Sequence, residues 1–460
     1  MTPLKPIHLA AHFPGVNNTT VWSDPESGSQ TDFASFVHLA RTAERGKFDF
    51  FFLAEGLRLR EHRGQIFDLD VVGRPDSLTV LAALAAVTDR IGLAATLNTT
   101  FNEPYELARQ FATLDHLSGG RAAWNAVTSP DAFTGENFRR GGFLEPSSRY
   151  GRAEEFIVAA RELWDTWADG AVVADRDTGV FAADAAVRPF DLRGDEFSIR
   201  GQFNVPRSPQ GYPVQIQAGD SDGGRELAAA YADVIFSRHS SRDDGQRFYA
   251  DVKGRLARHG RTPADLKIIP AAVAILGDTE ADAHERAAHI RRQQVSPQGA
   301  VAFLEQVWGR DLSGYDPDGP LPDVDPDVDG GVAITRGRVR HEQDPAAVAA
   351  KWRRLADEKN LSIRELIIEV TTRAAFVGTP RQVAEAINDN VQADAADGYI
   401  FVPHLTPHGL DEFVDKVVPE LQERGVFRAD YSGPTLREHL GLPRPERREA
   451  RADHSAARSS

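Results

Sequence analysis

Short apolar runs that read as strands alternate with helix-like patterns from the first residues onward, and this alternation restricts the fold more than any other feature of the chain. Ile7–Ala10 reads as a strand; after a polar start at 29–32, Phe33, Phe36, Val37, Ala40 and Ala43 recur at helical spacing, and Gly46 ends the helix. Phe48–Leu53 is a second strand, Ser77–Val87 a helix, Ile91–Thr96 a third strand, Pro104–Leu117 a helix and Ala122–Val127 a fourth strand. Strands separated by helices run parallel, since a parallel partner is reached only by a crossover, and the unbroken apolar content of Phe50–Leu53 suits a strand covered on both faces. Further strands are expected at Val214–Ala218, Val234–Phe236, Lys267–Ile275, Leu366–Val370 and Tyr399–Val402. Roughly eight such units point to an α/β fold of the (β/α)8 TIM-barrel kind. A single barrel domain is expected over residues 1–442, with insertions near 58–75, 169–211 and 296–340. The last is long for a compact domain and is a candidate mobile lid; residues 443–460, rich in Arg, Ala, Ser and Glu, read as a disordered tail.

In such barrels the reactive groups stand just past the C-terminal ends of strands. Those positions hold His12, Glu55, Thr96 with Asn98, and Asn125 with Thr128. Singly each is equally a cap or turn residue; together they form a polar ring in which an imidazole can move a proton near neutrality and the carboxyl and amides can pair with ring N–H and C=O groups. After the fifth expected strand, Ala218-Gly219-Asp220-Ser221-Asp222-Gly223-Gly224 makes a small-residue turn into a helix starting near Asp222. The first turn of a helix presents unpaired N–H groups and its positive end, and a serine hydroxyl beside them suits a phosphate, although most such turns bind nothing.

The remaining signals exclude more than they assign. A net charge of −15 weighs against nucleic-acid or anionic-membrane partners. The absence of cysteine removes disulfides, thiolate metal sites and cysteine nucleophiles. Without a leader-like or spanning apolar run, a cytoplasmic protein is expected. No GxGxxG follows an early strand and no GxxxxGK[ST] occurs. Asp325, Asp327, Asp329 and Gly330 have calcium-loop spacing, but Arg336 stands where a bidentate glutamate is required. His404 and His408 flank Pro407 and share no helix, so no metal is expected.

Four stretches carry a resemblance: GRAAWNAVTSPDAFTGENFRR (120–140), RYGRAEEFIVAARELWDTW (149–167), NVPRSPQGYPVQIQAGDSDGGRELAA (204–229) and DEFVDKVVPELQERGVFRADYSGPTLREHLGL (411–442). From about Ile7 to Leu442 the chain resembles the nitrilotriacetate monooxygenase and dibenzothiophene-sulfone monooxygenase group of the bacterial-luciferase-like superfamily. The resemblance implies a (β/α)8 barrel that uses reduced FMN, delivered by a separate NAD(P)H:flavin reductase, and O2. Through a C4a-(hydro)peroxyflavin it would oxygenate a small organic substrate, often breaking a C–S or C–N bond. It places Ser221 and the N–H groups of Asp222 and Gly223 at the FMN phosphate with Tyr150 reaching it from the other side, and Thr96, Asn98, Asn125 and Thr128 along the isoalloxazine. Glu55 stands where relatives usually have aspartate, and His12 faces the reactive edge of the flavin as the catalytic proton donor or base. Phe13, Trp124, Phe236 and His404 are candidate walls of the substrate pocket. The chain departs from the group at Pro146, where many relatives have histidine, and in HFPGVNNTTVW (12–22) on the substrate side. A homodimer or homotetramer is expected. Two rivals stay open: a deazaflavin-dependent dehydrogenase of the same superfamily, and a non-catalytic flavin-binding protein.

Overall fold

The computed structural model describes residues 4–448, apart from 16, 18, 67–73, 130–131, 139–145, 240, 328–334, 337–343 and 373–374. Eight parallel strands form a ring: β1 (His8–Phe13), β2 (Phe50–Leu53), β3 (Gly92–Asn98), β4 (Ala122–Val127), β5 (Val214–Ala218), β6 (Val234–Phe236), β7 (Ala271–Leu276) and β8 (Gly398–Phe401). Neighbours pair in chain order from β1 to β6, and β8 returns to β1 in the register His8–Gly398 to Ala11–Phe401. The seventh position is split, because Pro270 has no N–H to give the ladder. Lys267–Ile268 pairs with β6 while β7 pairs with β8. The gap is bridged by Ile269 N–H to the Ile235 carbonyl and by Ile400 N–H to the Pro270 carbonyl, both 3.0 Å. The helices Phe33–Arg45, Ser77–Ala85, Pro104–Leu117, Pro146–Trp164, Asp222–Tyr231, Arg242–Arg255, Pro380–Gln392 and Asp411–Glu423 follow the strands in turn.

Side chains alternate across each strand, so every second residue enters the barrel and its neighbours meet the helices. Ala10, Phe50, Phe52, Ala94, Ala123, Val214, Ile216, Val234 and Ile400 form one buried cluster within the ring. Leu9, Ala11, Phe51, Leu53, Leu93 and Leu97 join the larger cluster with Phe36, Leu81, Leu107 and Phe111 of the helices.

One expected strand is a helix. Leu366–Val370 lies within Ile363–Thr371, opened by a reciprocal cap between Ser362 and Glu365 and burying Ile363, Leu366 and Ile367 along one side. A five-residue apolar run cannot distinguish a buried strand from the buried face of a helix. The extra strand is Ala375–Gly378, which pairs in parallel with β7, Ala375 opposite Val273.

The described residues of the insertions include regular elements. Residues 169–211 form two antiparallel hairpins, Val172–Asp175 with Val180–Ala182 and Phe190–Arg193 with Ser198–Gly201. Glu61–His62 pairs with Gln65–Ile66, and Thr335–Arg336 of the third insertion pairs with Glu61–His62. The region expected as a lid contains helix Pro297–Trp308, packed with Pro345–Lys359 and Ile363–Thr371 around Leu304, Trp308, Trp352 and Leu366. Residues 443–448 also depart from the expected disordered tail, because arginines pin them to the barrel's flank. Arg444 reaches the Asp169 carboxylate at 2.6 Å, Arg207 donates to the Pro445 carbonyl at 2.7 Å, and Arg447 donates to the Asp165 carbonyl at 2.9 Å. The remainder of that tail, 449–460, lies outside the described residues. In the calcium-like stretch Asp325 accepts from Arg353 at 2.8 Å, and Asp329 and Gly330 lie outside the described residues. No helix among the described residues is long and apolar enough to cross a membrane.

Candidate active site

A cavity of about 520 Å³ opens at the C-terminal ends of the strands. Strand alternation decides what lines it. His12 on β1, Phe52 on β2, Thr96 on β3, Asn125 on β4 and Phe236 on β6 all face inward, and Glu55 and Thr128 follow from the loops beyond β2 and β4. The His12 ring meets Phe52 edge-on at 5.2 Å, and Phe52 lies nearly parallel to Phe236 at 5.8 Å, making an aromatic floor. Asn125 Nδ2 donates to Thr96 Oγ1 at 3.0 Å, whereas its buried Oδ1 has no partner among the described residues. Asn98 is not on the wall: its Nδ2 donates to Glu55 Oε2 at 2.9 Å while its Oδ1 accepts from the Phe101 N–H at 2.7 Å. Burial pushes the Glu55 carboxyl up to about 7, against the opposing effect of the Asn98 hydrogen bonds.

Three expected pocket walls lie elsewhere. Phe13 follows the inward His12 and therefore faces out, stacking on Phe36 at 4.0 Å. Trp124 precedes the inward Asn125 and faces out for the same reason; it is fully buried against Phe111, Phe156 and Trp164, with its indole N–H donating to the Leu97 carbonyl at 3.0 Å. His404 is absent from the cavity lining; its carbonyl accepts from Val21 N–H at 2.8 Å, and burial lowers its ring to about 4, which keeps it neutral. His408 does not approach it as a ligand pair. It stands outside the barrel with His38 and Asp411, its Nδ1 lying 3.1 Å from each.

The turn after β5 also lines the cavity, through Ala218, Gly219 and Asp220. Ser221 caps helix Asp222–Tyr231 by accepting from the Gly224 N–H at 3.2 Å, and the Tyr150 hydroxyl lies 2.6 Å from the Ser221 hydroxyl. A side chain at Gly223 would bring its Cβ within 2.9 Å of the Tyr150 ring, so this close approach requires glycine. The Asp222 carboxylate instead turns to Arg255 at 2.6 Å and leaves only its N–H to the turn. Pro146 occupies the first position of helix Pro146–Trp164, where a missing N–H costs nothing. A helix N-terminus with a paired serine and tyrosine just beyond the cavity-lining turn, and on the wall an amide acceptor with no partner among the described residues, fit a phosphorylated ring compound carrying an N–H; Ser221 and Tyr150 themselves are not in the cavity lining.

Sequence reading passed over several lining residues: Phe52, Asn17, Thr19, Arg58, Arg60, Arg74 and Arg238. Phe52 was available from the alternation, since it lies opposite His12 in the β1–β2 register. Arg58 and Arg60 were not, because RLREHR (58–63) has the composition of any solvated insertion.

The luciferase-like monooxygenase family model matches residues 18–398, and the chain belongs to that family. It is 40% identical over 453 residues to N-acetyl-S-(2-succino)cysteine monooxygenase of Bacillus subtilis (strain 168), covering 97% of this chain and 99% of that one. It is 41% identical over 428 residues to nitrilotriacetate monooxygenase component A of Aminobacter aminovorans, covering 90% and 91%. Among solved structures, EDTA monooxygenase from Chelativorans sp. BNC1 superposes with a TM-score of 0.74 at 30% identity, covering 96% of this chain and 99% of that one. The chain is thus a flavin-dependent monooxygenase of small organic substrates, the oxygenating component of a two-component system.

Proposed function

We propose that the mouth cavity holds reduced FMN with its phosphate at the turn after β5 and a small organic substrate beside the ring. Asn125 carries this reading: its Oδ1 is a buried acceptor without a partner among the described residues, on the wall of a cavity also lined by the Ala218–Asp220 turn that leads into the Ser221-capped helix. Ser221, Tyr150 and the N–H groups of Asp222 and Gly223 bind the phosphate, and Thr96, Asn125 and Thr128 orient the ring, with Asn98 acting indirectly by fixing Glu55. Reduced flavin supplies the two electrons by which one atom of O2 enters the substrate and the other leaves as water. His12 holds and returns a proton at its ring nitrogen beside the reacting edge, Phe52 and Phe236 exclude water below it, and Glu55 hydrogen-bonds rather than transfers protons. A separate NAD(P)H:flavin reductase delivers the FMN, and the enzyme works as a homodimer or homotetramer in the cytoplasm. The component naming of the nitrilotriacetate relative supports the reductase.

Anaerobic titration with reduced FMN and with reduced deazaflavin, followed by oxygen admission, tests this reading. FMN binding with rapid oxygen uptake is expected; preferential deazaflavin binding without oxygen uptake would replace the monooxygenase reading with a dehydrogenase. His12→Asn should leave the fold and FMN affinity intact while product falls by about 10²-fold and H2O2 release rises. An unchanged ratio of product to H2O2 removes His12 from the mechanism.

A further inference from the structure

The helix that follows β1, Phe33–Arg45, and the helix that follows β8, Asp411–Glu423, meet outside the barrel at three side chains that do not line the mouth cavity. Helix Phe33–Arg45 presents His38, with Thr42 one turn further along the same face. The turn His408–Leu410 runs directly into helix Asp411–Glu423, so a spacing of three residues sets His408 beside Asp411. His38 Nε2 lies 2.9 Å from both oxygens of the Asp411 carboxylate, and His408 Nδ1 lies 3.1 Å from His38 Nε2 and from Asp411 Oδ2. Thr42 Oγ1 donates to Asp411 Oδ1 at 2.9 Å and fixes the carboxylate's orientation. The neighbouring acids are occupied differently: Glu412 pairs with Arg286 at 2.8 Å and Lys416 at 2.7 Å, and Asp415 pairs with Arg45, whereas Asp411 faces imidazoles and a hydroxyl.

Protons alone do not satisfy this arrangement around an ionised Asp411. Each imidazole nitrogen carries at most one hydrogen, in the plane of its ring. With both nitrogens protonated, two N–H groups confront each other across 3.1 Å. With only His408 Nδ1 protonated, the His38 Nε2 lone pair faces the carboxylate at 2.9 Å. With only His38 Nε2 protonated, the His408 Nδ1 lone pair faces Asp411 Oδ2 at 3.1 Å. Every protonation state leaves two like groups in contact, whereas a cation between the three ligand atoms engages all of their lone pairs at once.

We propose that His38, His408 and Asp411 form a binding site for zinc, which clips the first helix of the barrel to the last. Two imidazoles and one carboxylate suit zinc and disfavour magnesium and calcium, which take oxygen ligands. A tetrahedral zinc stands about 2.0–2.1 Å from its ligands and so holds them about 3.3 Å apart. Separations of 2.9–3.1 Å need to open only slightly to admit it. His408 is exposed and His38 and Asp411 are half-buried, which leaves the fourth position open to water, and Thr42 supplies the outer hydrogen bond that a ligating carboxylate needs. The histidines that stand close in the sequence, His404 and His408, are not the ligand pair; His408 is matched instead by His38, 370 residues away. None of the three ligands lines the mouth cavity, so the site stands apart from the flavin reading and its role is structural.

Calorimetric titration of the tag-free, chelator-stripped full chain with zinc chloride and with magnesium chloride tests the proposal. One zinc per chain should bind about 100-fold or more tightly than magnesium, and saturating zinc should raise the melting temperature by about 2–5 °C. Cobalt(II) chloride should develop the strong visible absorption of a four-coordinate ion. The His38→Gln/His408→Gln double variant should lose the calorimetric, thermal and cobalt responses together. His408→Gln alone, a change at an exposed position, guards against loss through misfolding: its metal-free melting temperature should match that of the stripped parent protein while its zinc affinity falls about 100-fold. A parent protein that takes up no zinc, magnesium bound as tightly as zinc, or zinc affinity unchanged in either variant would overturn the site.

Discussion

Asp49, at the start of β2, and Glu55, just beyond its end, are carboxyls largely removed from water, yet the protein keeps one ionised and the other poised to protonate. Burial alone would raise both. At Asp49 the charges of Arg428 and His8 outweigh burial and hold the group at about 2, with Oδ2 also accepting from the Leu9 N–H at 2.9 Å. At Glu55 only an amide opposes burial, and the carboxyl is raised to about 7. The pattern of Asp49 recurs beneath other strands. Asp233 accepts from the Gln215 N–H at 2.8 Å and pairs with Arg437 at 2.9 Å; Asp397 accepts from the Ile268 N–H at 2.8 Å and from Tyr249 at 3.0 Å. At the floor of the barrel these three carboxylates are each met by N–H donors and by a cation or a hydroxyl, while the mouth carries a buried amide acceptor, Asn125 Oδ1, with no partner among the described residues. Stability is concentrated at one end and chemistry at the other, which is the division expected of this architecture.

The contrast is broken most severely at the floor. Asp49→Ala leaves Arg428 and His8 facing each other without their shared anion and should cost about 3–5 kcal/mol in denaturant unfolding, with FMN affinity per folded molecule unchanged. Because the folded Asp49 carboxyl lies below its unfolded value of about 4, its stabilisation is complete above that pH and lost as pH falls through about 2; the variant should lack this acid-side loss. Next in size, Ser221→Ala removes a helix cap and, on the proposed flavin reading, a phosphate donor, and titration should show reduced FMN bound roughly 10- to 100-fold more weakly.

Glu55→Gln sharpens the contrast with the opposite sign. A carboxyl raised in the folded state contributes fully below its unfolded value of about 4.5 and loses that contribution as pH rises through about 7. Melts at pH 5 and pH 8.5 should therefore show the variant gaining on the parent protein at the higher pH by about 1–3 kcal/mol. A pH-independent difference would mean that Glu55 is ionised throughout. The smallest effect is expected at Phe13→Leu, which changes the helix-facing layer next to His12: about 1 kcal/mol of stability and no change in flavin affinity.

Much of the barrel was legible because helical and strand periodicities differ, and seven of the strands stand close to where alternating patterns place them. The eighth, at the seventh ring position, was also read, although its break at Pro270 was not drawn. Leu366–Val370 failed because a short apolar run has no period of its own. At the site, His12, Glu55, Thr96, Asn125 and Thr128 were recoverable from their positions at strand ends. Phe13 and Trp124 were misplaced by ignoring the two-residue alternation that the same strands impose, and attention to it would have given Phe52 in their stead. Arg58, Arg60 and Arg74 could not be read as lining residues, since what turns them toward the cavity is an insertion docked through Glu305, about 240 residues away in the chain.

The central claim is that the mouth, from Asn125 on the cavity wall to Ser221 just beyond the cavity-lining turn after β5, is the flavin site. A crystal structure of the protein with FMN tests it most directly. The account predicts the phosphate within hydrogen-bond distance of the Ser221 and Tyr150 hydroxyls and a ring N–H directed at Asn125 Oδ1, with Phe13 and Trp124 untouched in the outer layer. Flavin bound outside the barrel mouth, or a ring lying away from Asn125 with the phosphate remote from Ser221, would contradict it.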